Sequence, residues 1–328
     1  MGSSMLEPNN ADQAFDITVA IPTYNGAGRI GLVLEHLKAQ VKATNLRWEV
    51  LVVDNNSQDN IVEVIKKYQS KWSSEIPLRY CFELRQGAAF ARQKAIKEAD
   101  SELIGFLDDD NLPEENWLSE AVSFSQNHPE AGAFSGRIYG QYESPPPEGF
   151  EKIKAFLAIR DHGPKIKEFE PENLNLPPGA SLVVRKKAWT ENVPKKPNLT
   201  GKIPGLFIQG DDYEPLIHIY QGNWKILYNP ELKTHHQIPA SRFEKQYLTK
   251  LSKGCGLATY QLKCINASPQ KSLVLFFKIL LGNLRRIVVH WLKYRNRIDS
   301  ELDLSVFWEF YWGSFMSPFV NTGKGVAK

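Results

Sequence analysis

The chain has 328 residues, 42% of them hydrophobic and 23% charged, an ordinary globular composition that sets disorder aside and suffices for one large or two modest domains. Forty Lys and Arg against 37 Asp and Glu leave a formal charge of +3, so nucleic acid is not an expected partner. Three cysteines, Cys81, Cys255 and Cys264, without C-x-x-C pairing argue against a disulfide framework or a zinc cage and fit a reducing, cytoplasmic setting.

In chain order, residues 1–14 read as a polar, acidic lead-in that lacks the apolar segment of a secretory signal and is expected to be disordered. From Asp16 short β-rich runs alternate with helical-period runs: a strand at 17–21, a helix near 27–41, a strand at 49–54, a helix near 61–72, and a strand at 77–82. A helix near 88–99 and the run Glu102–Asp110 follow. This βαβα rhythm predicts a doubly wound α/β sheet, mainly parallel, with its ligand crevice at the carboxyl ends of the strands. Beyond Gln141 prolines recur, and loops with short elements are expected. From Ser241 to Trp312 helical patterns dominate, and the last residues, 319–328, read as a flexible tail.

Polar residues sit where the crevice rule places chemistry. Pro22-Thr23-Tyr24-Asn25 follows the first strand, Asp54-Asn55-Asn56-Ser57 the second, and Asp108-Asp109-Asp110-Asn111 the fourth. Gly26-Ala27-Gly28-Arg29-Ile30-Gly31 matches the G-x-G-x-x-G dinucleotide fingerprint, and a nicotinamide-dependent oxidoreductase is the reading it supports. Four residues intervene between strand and first glycine, however, and Pro22 stiffens the exit, so the phosphate-cradling turn is displaced.

Thr23 and Tyr24 offer a hydroxyl and a stacking ring to a base, and Asp54 can accept the imide N–H of uracil; a plain turn with an Asx cap is the alternative. Three successive aspartates, Asp108 to Asp110, repel one another unless a cation intervenes. Oxygen ligands suit Mg2+ or Mn2+, and a neutral imidazole alongside favours Mn2+. Arg85 and Arg92 bracket the small-residue stretch that begins at Gly87, which would let a helix N-terminus approach a phosphate. Gly179-Ala180-Ser181 carries no large side chain and could lie against the donor sugar or the acceptor.

Read together, VAIPTYNGA, EVLVVDNNSQDN, RQGAAFARQKAI, FLDDDNLP, PPGASLVVRKKAW, GDDYEP and HHQIPASR resemble glycosyltransferase family 2, over about residues 16–242. Among its members the chain looks most like bacterial, cyanobacterial exopolysaccharide enzymes of the hormogonium polysaccharide type. The resemblance implies a GT-A fold, a Rossmann-like mixed sheet with helices on both faces, over residues 15–240 (a nucleotide half at 15–140 and an acceptor half at 141–240), followed by a helical extension at 241–318. It implies a metal-assisted, inverting transfer from a nucleoside diphosphate sugar, with UDP favoured, to a saccharide or lipid-linked acceptor. Pro22, Thr23, Tyr24, Asp54, Arg85, Gly87, Arg92, Asp108 and Asp109 then bind the nucleotide, and Asp110 and His236 hold Mn2+ or Mg2+. Asp212 is the implied base with Asp211 beside it, although the family has Glu in the first position of that pair. His236 is preferred to His235 by its spacing to Ile238-Pro239, and Arg242 is a further diphosphate contact. A nucleotide-binding peripheral membrane protein without turnover is the non-enzymatic alternative.

Residues 271–297 combine large apolar side chains with Lys278, Arg285, Arg286, Lys293, Arg295 and Arg297, the pattern of a basic amphipathic helix lying on the cytoplasmic face of the inner membrane. The charges interrupt the stretch too often for a span, and packing on the catalytic domain or in a dimer interface is the alternative.

Overall fold

A computed structural model describes residues 15–40, 43, 45–201 and 207–320. The expected lead-in at 1–14, the end of the tail at 321–328 and Val41 lie outside the described residues.

The sheet has nine strands: β1 (Ile17–Thr23), β2 (Trp48–Asp54), β3 (Leu78–Phe82), β4 (Leu103–Phe106), β5 (Asn111–Pro113), β6 (Ala131–Tyr142), β7 (Lys167–Glu168), β8 (Leu182–Arg185) and β9 (Lys225–Ile238). Their order is β3-β2-β1-β4-β8-β6-β9-β5, with β7 against β9. The expected parallel block is β3, β2, β1 and β4. Beyond it β8 runs antiparallel to β4 and β6, β6 is parallel to β9, and β5 is antiparallel to β9. Residues 107–110 are too few for the crossover a parallel neighbour needs, so β5 leaves the block and pairs at the far edge.

Three helices connect the parallel strands: α1 (Ile30–Lys38), α2 (Ile61–Gln69) and α3 (Ala88–Glu98). α4 (Trp117–Asn127), α5 (Lys186–Asn192) and α6 (Tyr213–Gln221) complete the layers. The strand period of two divides side chains between the faces. Ile17, Val19, Ile21, Val50 and Val52 pack with α1, α2 and α4, whereas Ala20, Leu51 and Val53 pack with α3, α5 and α6. β2 is therefore buried along its whole length, as a sheet covered on both faces requires.

α1 starts three residues later than expected because Gly26–Arg29 forms a turn, with the Arg29 and Ile30 N–H groups both donating to the Gly26 carbonyl. The expectation of loops after Gln141 fits residues 150–181, which hold short 3-10 turns and the two-residue β7. It fails over 182–238, which carries two strands and two helices, including the 14-residue β9. The extension comprises α7 (Lys245–Leu257), α8 (Thr259–Lys263), α9 (Pro269–Tyr294) and α10 (Leu302–Met316). A third apolar cluster, with Phe150, Leu157, Ile238, Leu248, Leu251 and Val306, ties α7 and α10 to the 3-10 turns and the end of β9. No described helix is long and apolar enough to cross a membrane.

Candidate active site

A cavity of about 590 Å3 opens at the carboxyl ends of β1 and β4, within the range of small-molecule sites. It collects Pro22, Thr23, Tyr24, Gly87, Arg92, Asp108, Asp109, Asp110, Gly179, Ala180, Asp211, Asp212, His236 and Arg242, which the chain supplies from six separate stretches.

The three aspartates after β4 have different partners. Asp109 is buried: it accepts from the Thr23 hydroxyl at 2.6 Å and from Arg29 Nε and Nη2, each at 3.0 Å. A Cβ on Gly26 would stand 2.1 Å from both the Thr23 hydroxyl and an Asp109 oxygen. The first glycine of the dinucleotide-like fingerprint thus makes room for this internal contact, and Thr23 spends its hydroxyl on Asp109. Asp108 faces the cavity, and loss of bulk water pushes its carboxyl up to about 6, with Arg92 pulling the other way.

The second acidic cluster lies at the start of α6. Asp211 accepts from Arg92 Nη1 at 2.7 Å, and Arg92 Nη2 lies 3.9 Å from Asp108, so one buried guanidinium bridges the two clusters. Asp212 accepts from the Gly179 backbone N–H at 2.9 Å; burial, and then its neighbour Asp211, raise its proton affinity. A Cβ at Gly179 would come within 2.5 Å of Arg92 Nη2 and 3.1 Å of Asp212, so only glycine lets this loop seat both groups. Glu214 is buried and accepts from the N–H groups of Asn198 and Leu199 and from the Asn198 side chain, which anchors the separate loop at 198–199.

Strand alternation separates the two histidines of β9. His235 points outward to Glu114 and stacks near Tyr139, while His236 is buried and faces the cavity. His236 Nδ1 lies 2.9 Å from the Leu157 carbonyl, which only accepts, so Nδ1 carries the proton and Nε2 a lone pair. Arg242 Nη1 donates to that lone pair at 2.7 Å, and its Nη2 donates to Asp110 at 2.7 Å. A carboxylate oxygen and an imidazole lone pair thus converge on one cationic group, a donor set that fits Mn2+ or Mg2+. No cluster of three such ligands occurs among the described residues, so a divalent ion here would take its remaining ligands from outside the protein.

Three expected residues stand off the cavity. Both Asp54 oxygens are occupied, one by the Ser57 N–H and the other by the Tyr80 hydroxyl, and the neighbouring Asn55 lines the wall instead. Arg85 turns back to a bidentate pair with Glu83 and lies over the Phe90 ring. Ser181 is fully buried, with its hydroxyl between Trp117 Nε1 and Thr234. The sequence alone assigned no role to Arg29, Asn55 or Glu214. A strand-end Asn beside Asp54 and the third acid of Asp-Asp-Tyr-Glu were visible signals, whereas the Arg29–Asp109 pair joins residues with no local link.

The family model for glycosyl transferase family 2 matches residues 18–189. Glycosyltransferase AglE of Haloferax volcanii is 33% identical over 108 residues, covering 33% of this chain and 34% of that protein. The chain spans about a third or less of the length of the first curated relatives it matches. Among solved structures, mannosyltransferase PcManGT from Pyrobaculum calidifontis, in complex with GDP-Man and Mn2+, superposes with a TM-score of 0.57 at 16% identity, covering 96% of this chain and 89% of that one. TarS 1–349 of S. aureus, in complex with UDP-GlcNAc, gives 0.50 at 13% identity, covering 92% and 91%. At such identities the likeness concerns the fold.

Proposed function

The chain belongs to glycosyl transferase family 2, and from that premise we propose an inverting transfer of a sugar from a nucleoside diphosphate sugar, UDP being the preferred carrier, to a hydroxyl acceptor in polysaccharide or glycoconjugate assembly. The observation that carries this reading is Asp212: a carboxylate of raised proton affinity on the cavity wall, held by the Gly179 N–H and facing the same space as Asp108 and Asp110.

Asp212 takes the proton of the acceptor hydroxyl as that oxygen bonds to the anomeric carbon. The bond from that carbon to the diphosphate breaks, the nucleoside diphosphate leaves from the opposite face, and one displacement inverts the configuration. Asp211 stays paired with Arg92, so the division of labour left open by the Asp-Asp form favours Asp212 as base. A divalent ion, Mn2+ or Mg2+, held by Asp110 and His236 would supply Lewis-acid stabilisation of the leaving diphosphate. Arg242, already on those two residues, is placed to meet diphosphate oxygens, and Tyr24, 42% exposed, is free to stack on a base. The apolar wall contributed by Leu251, Ala258, Leu262 and Phe310 suits an acceptor with a lipid portion. Contact with the cytoplasmic face of a membrane through residues 271–297 belongs to the same reading, supported by the exposed apolar side chains of α9.

NMR of the protein with a panel of nucleoside diphosphate sugars, Mn2+ and candidate acceptors tests the reaction. The expected result is consumption of a UDP-sugar, stopped by EDTA, with product of inverted anomeric configuration. Nucleotide binding with no donor consumed would favour the non-catalytic alternative, and retained configuration would rule out the single displacement.

A further inference from the structure

α9 contains no acidic residue and presents three distinct faces. At about 100° per residue, Ile279, Asn283, Ile287 and His290 form the buried face. Leu273, Val274, Phe277, Leu281, Leu284, Val288 and Leu292 fall within an exposed arc of roughly 100°. Lys271, Lys278, Arg285, Arg286 and Lys293 occupy the remaining flank, and none forms an ion pair with a described carboxylate.

On that flank lies a surface cavity of about 420 Å3, bounded by Gly282, Arg285, Arg286, Lys293, Tyr294 and Tyr311. Its position is set by packing: His290 is anchored by the Leu304 carbonyl of α10, and Arg286 is held by Asn283 Oδ1 at 3.1 Å. A Cβ on Gly282 would meet nothing within 4 Å, so the space above that position is open.

We propose that this cavity binds the phosphate of an anionic phospholipid while the adjoining apolar arc of α9 sits among the acyl chains. Two adjacent features must be answered by one partner, an anion and a continuous apolar phase, and the interface of an anionic bilayer presents both. A second copy of this chain would bring the same cations with no acid on its own α9 to meet them. The inference rests on the membrane contact proposed above and adds what selects the membrane.

The test is cosedimentation of the full chain with vesicles of phosphatidylcholine alone or of phosphatidylcholine mixed with phosphatidylglycerol, at low and high salt. The variants are Arg285→Gln/Arg286→Gln/Lys293→Gln and Leu281→Ser/Leu292→Ser, all at exposed positions, with folding checked by thermal melting. The expected result is salt-sensitive binding to the anionic vesicles, a roughly hundredfold lower partition coefficient for the charge variant, and loss of binding for the apolar variant. Equal binding to both vesicle types, or no effect of the charge variant, would overturn the phosphate site while leaving membrane contact standing. No vesicle binding by a folded, donor-consuming protein would overturn both, and a stable dimer that uses Leu281 and Leu292 would reassign the face.

Discussion

The two acidic runs, 108–110 after β4 and 211–214 at the start of α6, are built alike and used differently. In each, most carboxylates are pinned: Asp109 by Arg29 and Thr23, Asp110 by Arg242, Asp211 by Arg92, and Glu214 by backbone N–H groups. Each run also keeps a cavity-wall carboxylate of raised proton affinity that, among the described residues, accepts no side-chain hydrogen bond, Asp108 in the first and Asp212 in the second. Counting acids therefore says little about chemistry. The partners decide how each carboxylate is used: Asp110 is held by Arg242, whose place a divalent ion would take, and Arg92 reaches both runs at once.

The largest expected effect tests the available member of the second run. Asp212→Asn should lower kcat by about 10²–10⁴ while UDP affinity, measured calorimetrically, stays within about twofold of wild type, because the substitution removes the base and keeps the Gly179 contact. Arg92→Leu should destabilise the fold by about 3–5 kcal/mol, read by urea denaturation, since it strands Asp211 beside Asp108 and Asp212 without a cation. A loss under about 1 kcal/mol would mean that solvent compensates Asp211, contrary to the 11% exposure of its side chain. Glu214→Gln should cost about 1–3 kcal/mol, because its amide nitrogen would face a backbone donor.

The pH dependence sharpens the comparison further. The folded state holds the Asp212 proton above the usual 3.8, so protonation stabilises the fold at low pH and that contribution is lost as pH rises through the folded value. Asp212→Asn should accordingly melt higher than wild type near neutrality, with the gap closing in acid. Over the same interval kcat/KM of the wild type should rise as the base ionises. A gap that widens in acid would contradict the burial of this group.

The parallel block was legible in the sequence because β1, β2 and β4 are short apolar runs bounded by helical patterns, with Thr23-Tyr24, Asp54 and the Asp108 run at their ends. β9 was not, because Asn229, Pro230 and four charged or imidazole side chains interrupt it; ten pairings with β6, plus β5 and β7, make it a strand through partners distant in the chain. The same limit hid Arg29, whose role needs a partner 80 residues away. Arg85 and Asp54 stand off the cavity for a different reason: Glu83, two residues away, and Tyr80, on the neighbouring strand, already hold their polar atoms. His236 was preferred to His235 for its spacing to Ile238-Pro239, and the alternation of β9 turns it toward the cavity while His235 faces Glu114.

The most direct test of the central claim, that Asp110 and His236 hold a divalent ion against a bound nucleoside diphosphate, is calorimetric titration of UDP with and without Mn2+ on wild type and Asp110→Ala. The account predicts binding that requires Mn2+ and disappears in the variant, with both proteins melting cooperatively. UDP binding that is equally tight without metal, or unchanged by Asp110→Ala, would contradict it.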